Sequence, residues 1–244
     1  MKKLLSIVLC NNAGEGLTLT DEGAEILRLG GTNDENPKAL YELIRQTKGK
    51  YVIILDTDCT LAGGDFDAIL KACDEAAADI LSFDGGYALK ATTLKGVPAK
   101  NYTDRYGAEI YTAFNSKEIA EVEAKPFNFT TQRAKYSLTD EAKLEETLEE
   151  FKKSKAKLTK AVYSFIFDML CARLITFYTC AMVAIYRKET TAEELSEFDK
   201  RLKDNIVLYL ALEQRFTAAN LKKLREKNFK INFIIYNKFK KLVK

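Results

Sequence analysis

The sequence contains no histidine, so it lacks the side chain that enzymes use most often for acid–base chemistry near neutral pH. The same absence excludes every metal site built on imidazole. Only three prolines and twelve glycines occur in 244 residues, which argues against collagen-like and low-complexity chains. The five cysteines are scattered without a CxxC pair, which predicts reduced thiols in the cytoplasm rather than a disulfide scaffold or a zinc cluster.

Charge is distributed unevenly along the chain. Residues 1–150 carry 17 Lys+Arg against 26 Asp+Glu, a net charge of −9, whereas residues 151–244 carry 21 against 9, a net charge of +12. We therefore expect an acidic body and a basic surface that faces an anionic partner.

Short apolar runs alternate with helical patterns in the first half of the chain. Four runs predict strands: Leu4–Cys10, Ala24–Leu29, Tyr51–Leu55 and Asp79–Phe83. The first and third are continuous apolar runs, which is typical of strands buried on both faces of a parallel sheet. Helices are predicted over Pro37–Thr47 and Asp65–Ala78. This order predicts an α/β fold with a mostly parallel sheet.

The second half of the chain reads as helical from Thr139 onward. We expect a charged helix over Asp140–Ser154, a densely apolar one over Leu158–Arg187, and an amphipathic one over Thr191–Lys227. Residues 161–186 are long enough to cross a bilayer, but Asp168 and Arg173 lie among them, so we favour a helix buried in the protein or at a subunit interface. Contact with a single leaflet of lipid is the alternative.

Two aspartates follow the third predicted strand. In Lys48–Leu61, which reads KGKYVIILDTDCTL, a buried strand delivers Asp56 and Asp58 at its carboxyl end, the edge where open α/β sheets bind ligands. Two carboxylates so placed can hold Mg²⁺ or Mn²⁺ against a diphosphate. The spacing alone also fits a strand terminator followed by the cap of a turn, and Asp65-Phe66-Asp67 repeats it.

The segment KGKYVIILDTDCTL resembles the metal- and donor-binding segment of family-2 glycosyltransferases with the GT-A fold. Leu5–Val8 is similar to their opening strand, Asp65–Phe83 to the following helix and strand, and Lys125–Phe129 to the strand that closes their catalytic domain. The resemblance implies a GT-A-like domain over residues 1–137 and a helical C-terminal region over residues 138–244, packed on that domain.

The resemblance also implies a function. We expect a metal-dependent transferase that moves a sugar from a nucleotide-diphosphate donor to a glycan or a lipid-linked acceptor. Asp56 and Asp58 are its expected metal ligands, and the expected donor-binding residues are Asn11, Asn12, Asp34 and Asp56.

Two departures from the family pattern bear on activity. Gly30-Gly31 stand where the family has an acidic pair that holds the nucleotide base. Phe114–Ile119 resembles the segment before the catalytic base, yet Lys125 follows so soon that no helix carrying a base fits between them. Three carboxylates near strand or loop ends are candidate substitutes for that base: Asp84, Asp104 and Glu109. The alternative for each of them is an ordinary solvated side chain.

These departures keep a second class of function open, a catalytically degenerate relative that serves as a binding or scaffold protein. Residues 222–244 hold nine basic residues and one acid, interleaved with aromatic and aliphatic side chains, which suits an anionic membrane surface on the cytoplasmic side. A helix or strand docked on the body is the alternative for this segment. We expect no nucleic-acid partner, because the acidic half repels phosphates, and a homo-oligomer through residues 161–186 is a further expectation.

Overall fold

The four strands predicted from apolar runs are present as short segments, and the sheets contain further strands besides them. The computed structural model describes residues 3–10, 17–19, 23–29, 38–56, 59–102, 104–129, 138–186 and 191. Within these ranges the strands are β1 (Leu5–Leu9), β2 (Ala24–Arg28), β3 (Tyr51–Leu55), β4 (Cys59–Leu61), β5 (Ile80–Phe83), β6 (Gly86–Lys90), β7 (Ile119–Glu121) and β8 (Phe127–Phe129).

Six of these strands form one mixed sheet in the order β2-β1-β3-β6-β5-β7. Strand β1 is parallel to β2 and β3, and β5 is parallel to β7. Every residue of β1 and β3 is buried, as expected for central strands covered on both faces. The predicted α/β class with a mostly parallel sheet is confirmed.

Strand β6 was not predicted from the sequence and runs antiparallel to both of its neighbours, β3 and β5. Asp84 and Gly85 form a two-residue connection between β5 and β6, since Phe83 pairs with Gly86. Gly85 has φ = +95°, a conformation that residues with a Cβ rarely adopt. Gly85 therefore belongs to the turn of a β-hairpin, whereas Gly86 is already the first residue of β6.

Four of the helices lie where the sequence pattern predicts them, and two, over Ala91–Lys95 and Arg105–Phe114, were not predicted. Their bounds are α1 (Ala39–Gln46), α2 (Gly63–Glu75), α3 (Ala91–Lys95), α4 (Arg105–Phe114), α5 (Leu138–Ser154) and α6 (Lys160–Tyr186). Helix α1, for example, buries Leu40 and Ile44, four residues apart on one face. Among the described residues, no helix has both the length and the apolar character needed to cross a bilayer.

A second, two-stranded sheet pairs β4 with β8 in antiparallel register, from Cys59 opposite Phe129 to Leu61 opposite Phe127. The Phe127 ring lies 6.4 Å from that of Phe66 and 6.2 Å from that of Phe83, measured between centroids. This aromatic cluster belongs to the buried core. It anchors the chain immediately after Asp58.

The chain divides into two compact units. The first comprises Met1–Gln132 and Ser154–Ile166, and the second Arg133–Lys153 and Phe167–Lys244. In the first unit, Phe165 packs edge to face on Tyr87, with ring centroids 5.0 Å apart. The sheet and the predicted site both belong to the first unit, whereas the predicted helix over Thr191–Lys227 lies almost wholly outside the described residues.

Candidate active site

The carboxyl ends of three parallel strands meet at one edge of the sheet. Leu9 is in register with Arg28 on one side and with Leu55 on the other. Pairing continues past the strands, because the Cys10 amide donates to the Leu55 carbonyl at 2.8 Å. Asp56 directly follows Leu55 and therefore lies at the edge where open α/β sheets bind ligands.

Asp56 has a basic partner that the sequence did not predict. Arg105 Nη1 lies 3.2 Å from Asp56 Oδ1, and Arg105 Nε lies 2.7 Å from Glu109 Oε1. The Asp56 side chain is 40% exposed, whereas those of Arg105 and Glu109 are 17% and 7% exposed. Arg105 therefore forms a largely buried ion pair with Glu109 and also contacts the more exposed carboxylate of Asp56.

Helix α4 begins at a position that fixes this arrangement. Asp104 is its N-cap, with extended backbone angles, and its carboxylate accepts a hydrogen bond of 2.6 Å from the Gly107 amide. Arg105 is consequently the first helical residue, and Glu109 follows one turn later on the same face.

Burial and neighbouring charges of opposite sign act in opposite directions on the pKa values of Glu109 and Arg105. Burial raises the pKa of Glu109 above its ordinary value, and the Arg105 guanidinium only partly offsets this effect. For Arg105, burial lowers the pKa, but the Glu109 and Asp56 carboxylates outweigh it and the pKa is raised. Asp56 and Asp104 are both close enough to raise the pKa of Glu109 further. Arg105 therefore stays cationic among three carboxylates.

The β5–β6 hairpin borders the same cluster. A Cβ built on Gly86 would lie 3.4 Å from Arg105 Nη2, so the guanidinium passes close to this backbone. Asp84, in the turn of the hairpin, is exposed, and its amide donates to the Ala124 carbonyl at 3.0 Å. Of the three carboxylates considered as bases, Asp104 and Glu109 belong to the Arg105 cluster, and Asp84 belongs to the neighbouring turn.

Several predicted site residues lie outside the described part of the chain. These residues are Asn11, Asn12, Asp34 and Asp58. Asn11 directly follows Cys10 in the sequence, and Asp58 lies between Asp56 and the paired residue Cys59.

The acidic side chains of the site can be compared with the ligands that a divalent metal ion needs. Among the described residues, no group of three or more acidic or cysteine side chains is placed to hold a metal ion. Mg²⁺ commonly uses one or two protein carboxylates and takes its other ligands from substrate phosphates and water. Asp56, at the sheet edge and 40% exposed, fits that pattern as one such carboxylate, although one of its oxygens also contacts Arg105.

The segment between Phe114 and Lys125, all of whose residues the structure describes, contains a short strand and no helix. Phe114 ends α4, and Ile119 begins β7, which runs parallel to β5. Helix α4, with Asp104 as its N-cap, precedes this segment.

The mixed α/β sheet with flanking helices is consistent with a GT-A-like glycosyltransferase fold. The solved structures it resembles include S. aureus TarS 1–349, a glycosyltransferase, in complex with UDP, with a TM-score of 0.51 and 12% identity over 81% of this chain and 78% of that one. TarS 1–349 without ligand gives a TM-score of 0.51 at 12% identity over 85% and 81% of the two chains. The complex with UDP-GlcNAc gives 0.50 at 12% identity over 84% and 81%.

At this identity the likeness shows the fold alone. No family model matches the sequence. A search of curated proteins likewise finds no match.

Proposed function

We propose that this chain is a glycosyltransferase that uses a nucleotide-diphosphate sugar as its donor. The observation that carries the proposal is Asp56, which stands at the carboxyl edge of a GT-A-like sheet directly after the buried strand β3. Ligands bind open α/β sheets at this edge.

A uridine nucleotide is the proposed donor class, because solved structures with a similar fold contain UDP and UDP-GlcNAc. Asn11 and Asn12 come directly after Cys10 in the sequence and are proposed to contact the donor, together with Asp34 and Asp56. Gly30-Gly31 supply no carboxylate to the nucleotide base, so we expect weaker recognition of the base than an acidic pair would give.

Asp56 and Asp58 are proposed to hold Mg²⁺ or Mn²⁺ together with the donor diphosphate. Such an ion, when bound, neutralises the negative charge that develops on the departing diphosphate. Asp56 can also accept a hydrogen bond from the donor, while Arg105 keeps it in place.

Asp104 is proposed as the general base. Glu109 is nearly inaccessible and engaged by Arg105, and Asp84 belongs to an exposed turn. Asp104 is half-buried, adjoins Arg105 in sequence, and is near enough to Glu109 to affect its pKa. As the N-cap of α4, directly before Arg105, Asp104 is proposed to accept the proton of the acceptor hydroxyl.

The second candidate is a binding or scaffold protein that keeps the fold without turnover. The contact of Arg105 with Asp56 favours this function, because a cation then competes for a carboxylate that a metal would use. UDP release from UDP-GlcNAc, measured against a protein-free blank, distinguishes the two. Binding without release would support the scaffold, whereas release above the blank would support the enzyme.

The acceptor is proposed to be a glycan or a lipid-linked sugar, since the basic segment 222–244 suits an anionic membrane surface. This segment lies outside the described residues, and the proposal rests on its composition. Self-association through residues 161–186 also stays a prediction.

Calorimetric titration with UDP and Mn²⁺ tests the proposed site. The Asp58→Asn change removes one charged oxygen ligand, and we expect affinity for UDP to fall about tenfold or more. Asp67→Asn is the matched control, because Asp67 belongs to the second Asp-x-Asp motif and is exposed on α2. If the wild-type protein does not bind UDP, or if both variants bind it like wild type, the proposed donor site is wrong.

A further inference from the structure

The ion pair on α4 has an arrangement that stability alone does not account for. Glu109 and Arg105 are both largely removed from water, with side chains 7% and 17% exposed. Desolvation of two such charges roughly cancels their attraction, so a buried ion pair is weak support for a purely structural role.

The guanidinium uses different atoms for its two carboxylates. Nε contacts Glu109, one helical turn away, and Nη1 contacts Asp56, at the end of β3. A planar guanidinium held at one edge has its other donors fixed in direction. Glu109 therefore sets the direction in which Arg105 presents Nη1 to Asp56.

The surrounding backbone leaves space for this side chain. Gly86 lies at the start of β6, between β3 and β5 in the sheet, with its Cα hydrogen directed near Arg105 Nη2. Three elements, namely the end of β3, the start of β6 and the first turn of α4, thus meet around one guanidinium.

We propose that Arg105 and Glu109 are positioning residues that orient Asp56 for the nucleotide donor. Glu109 anchors Arg105, and Arg105 holds the Asp56 carboxylate in the direction in which it meets the donor. Glu109 is then a buried counter-ion and not the catalytic base. The inference rests on the proposed function, because it takes Asp56 as a donor-binding residue.

A double-mutant cycle on UDP binding tests this chain of contacts. Lysine keeps the charge of Arg105 but cannot bridge two carboxylates with a planar fork, so we expect Arg105→Lys to weaken UDP binding about tenfold. In an Asp56→Asn background the same change should have no further effect, since the carboxylate it positions has been removed. A purely structural role would produce the same loss in both backgrounds.

Glu109→Gln separates positioning from base catalysis. We expect it to weaken UDP binding, whereas loss of a general base would leave UDP binding unchanged. Glu75→Gln is the matched control, because Glu75 also forms an i,i+4 ion pair, with Lys71, but both side chains are mostly exposed. Its UDP affinity should equal that of wild type.

Thermal melts show whether each variant is folded. If Arg105→Lys does not fold, the combined change Arg105→Gln with Glu109→Gln removes both buried charges together and leaves neither unpaired. The folded double variant should bind UDP as weakly as Asp56→Asn does.

The outcomes separate the two proposals. If Asp56→Asn leaves UDP binding unchanged, the proposed donor site fails. If Asp56→Asn weakens binding but Arg105→Lys, or the neutral double variant, does not, the positioning role is overturned while the donor site stands.

Discussion

Asp79 joins three segments of the chain through one carboxylate. It accepts hydrogen bonds from the Thr93 hydroxyl at 3.0 Å and from the Lys117 amide at 2.8 Å, and Lys90 Nζ lies 3.8 Å away. Burial opposes ionisation of Asp79, but these partners outweigh it, so its pKa lies below the ordinary value of 3.8. The ionised carboxylate therefore stabilises the folded state.

The direction of this shift predicts a pH dependence of folding. The stabilisation is fully present above the unfolded-state pKa of about 3.8 and is lost as pH falls through the lower folded-state value. We expect Asp79→Asn to lower the free energy of unfolding at pH 7 by about 1–3 kcal/mol. The difference from wild type should shrink below pH 4, as measured by urea unfolding at a series of pH values.

Asp74→Asn is the control for this series, because Asp74 is exposed near the end of α2. If the free energy of unfolding differs between Asp79→Asn and wild type by the same amount from pH 7 to pH 3, the stabilisation does not come from ionisation of Asp79.

Residue by residue, the sequence predicted the position of Asp56 but not that of Arg105. Asp56 follows five buried apolar residues, so its place at a sheet edge can be inferred from local pattern. Arg105 is 49 positions from Asp56, and its spacing from Glu109 looks like an ordinary surface pair on a helix. Only the fold shows that Arg105 and Glu109 are largely buried and that Arg105 reaches Asp56.

At the scale of elements, the β5–β6 hairpin depends on a glycine in two ways. Gly85 has φ = +95°, and a Cβ there would lie 2.6 Å from Phe129 Cε2. The turn therefore needs both the backbone freedom and the small size of glycine.

We expect Gly85→Ala to destabilise the protein by at least about 1–2 kcal/mol, the cost of the left-handed conformation alone. Chemical denaturation measures this change. Combining it with Phe129→Ala isolates the steric part, since that substitution removes the ring that a Cβ would meet.

Gly64→Ala is the contrasting change. Gly64 lies in α2, and a Cβ there would meet nothing within 4 Å. Alanine should therefore be neutral or stabilising by up to about 1 kcal/mol. Equal destabilisation by the two alanine substitutions would contradict this account of the turn.

The sequence does contain a pattern typical of a hairpin turn, Asp84-Gly85, but the second glycine, Gly86, makes the following strand hard to predict. Asp-Gly between two strands is a strong indicator of a two-residue hairpin. The following run, Gly86–Lys90, begins with glycine and has only three apolar residues, so its periodicity indicates a strand weakly. Strand β6 consequently could be placed only by its pairing with β3 and β5.

For the molecule as a whole, the charge division predicts a membrane partner. Residues 222–244 combine nine basic residues with aromatic and aliphatic ones, and each basic side chain near an anionic surface contributes about 1 kcal/mol. We expect the full chain to float with liposomes that contain anionic lipid. Binding should weaken as salt screens the charges.

Truncation after Ala219 is the matching variant and should abolish flotation. Flotation with neutral lipid alone, or binding that salt does not affect, would instead indicate a docked structural segment.

The whole fold was more predictable than the site. Apolar runs and their alternation with helices indicate an α/β sheet locally, and the observed sheet is mostly parallel as expected, with the antiparallel strand β6 as the unpredicted addition. The site depends on contacts between distant segments, such as that between Asp56 and α4, which no local pattern encodes.

A crystal structure with UDP-GlcNAc and Mn²⁺ tests the central claim most directly. The account predicts density for the nucleotide at the carboxyl edge of β1 and β3, with its diphosphate beside Asp56 and Asp58 and with Arg105 still paired to Asp56. Nucleotide bound at another surface, or an empty edge under conditions where calorimetry shows binding, would contradict it.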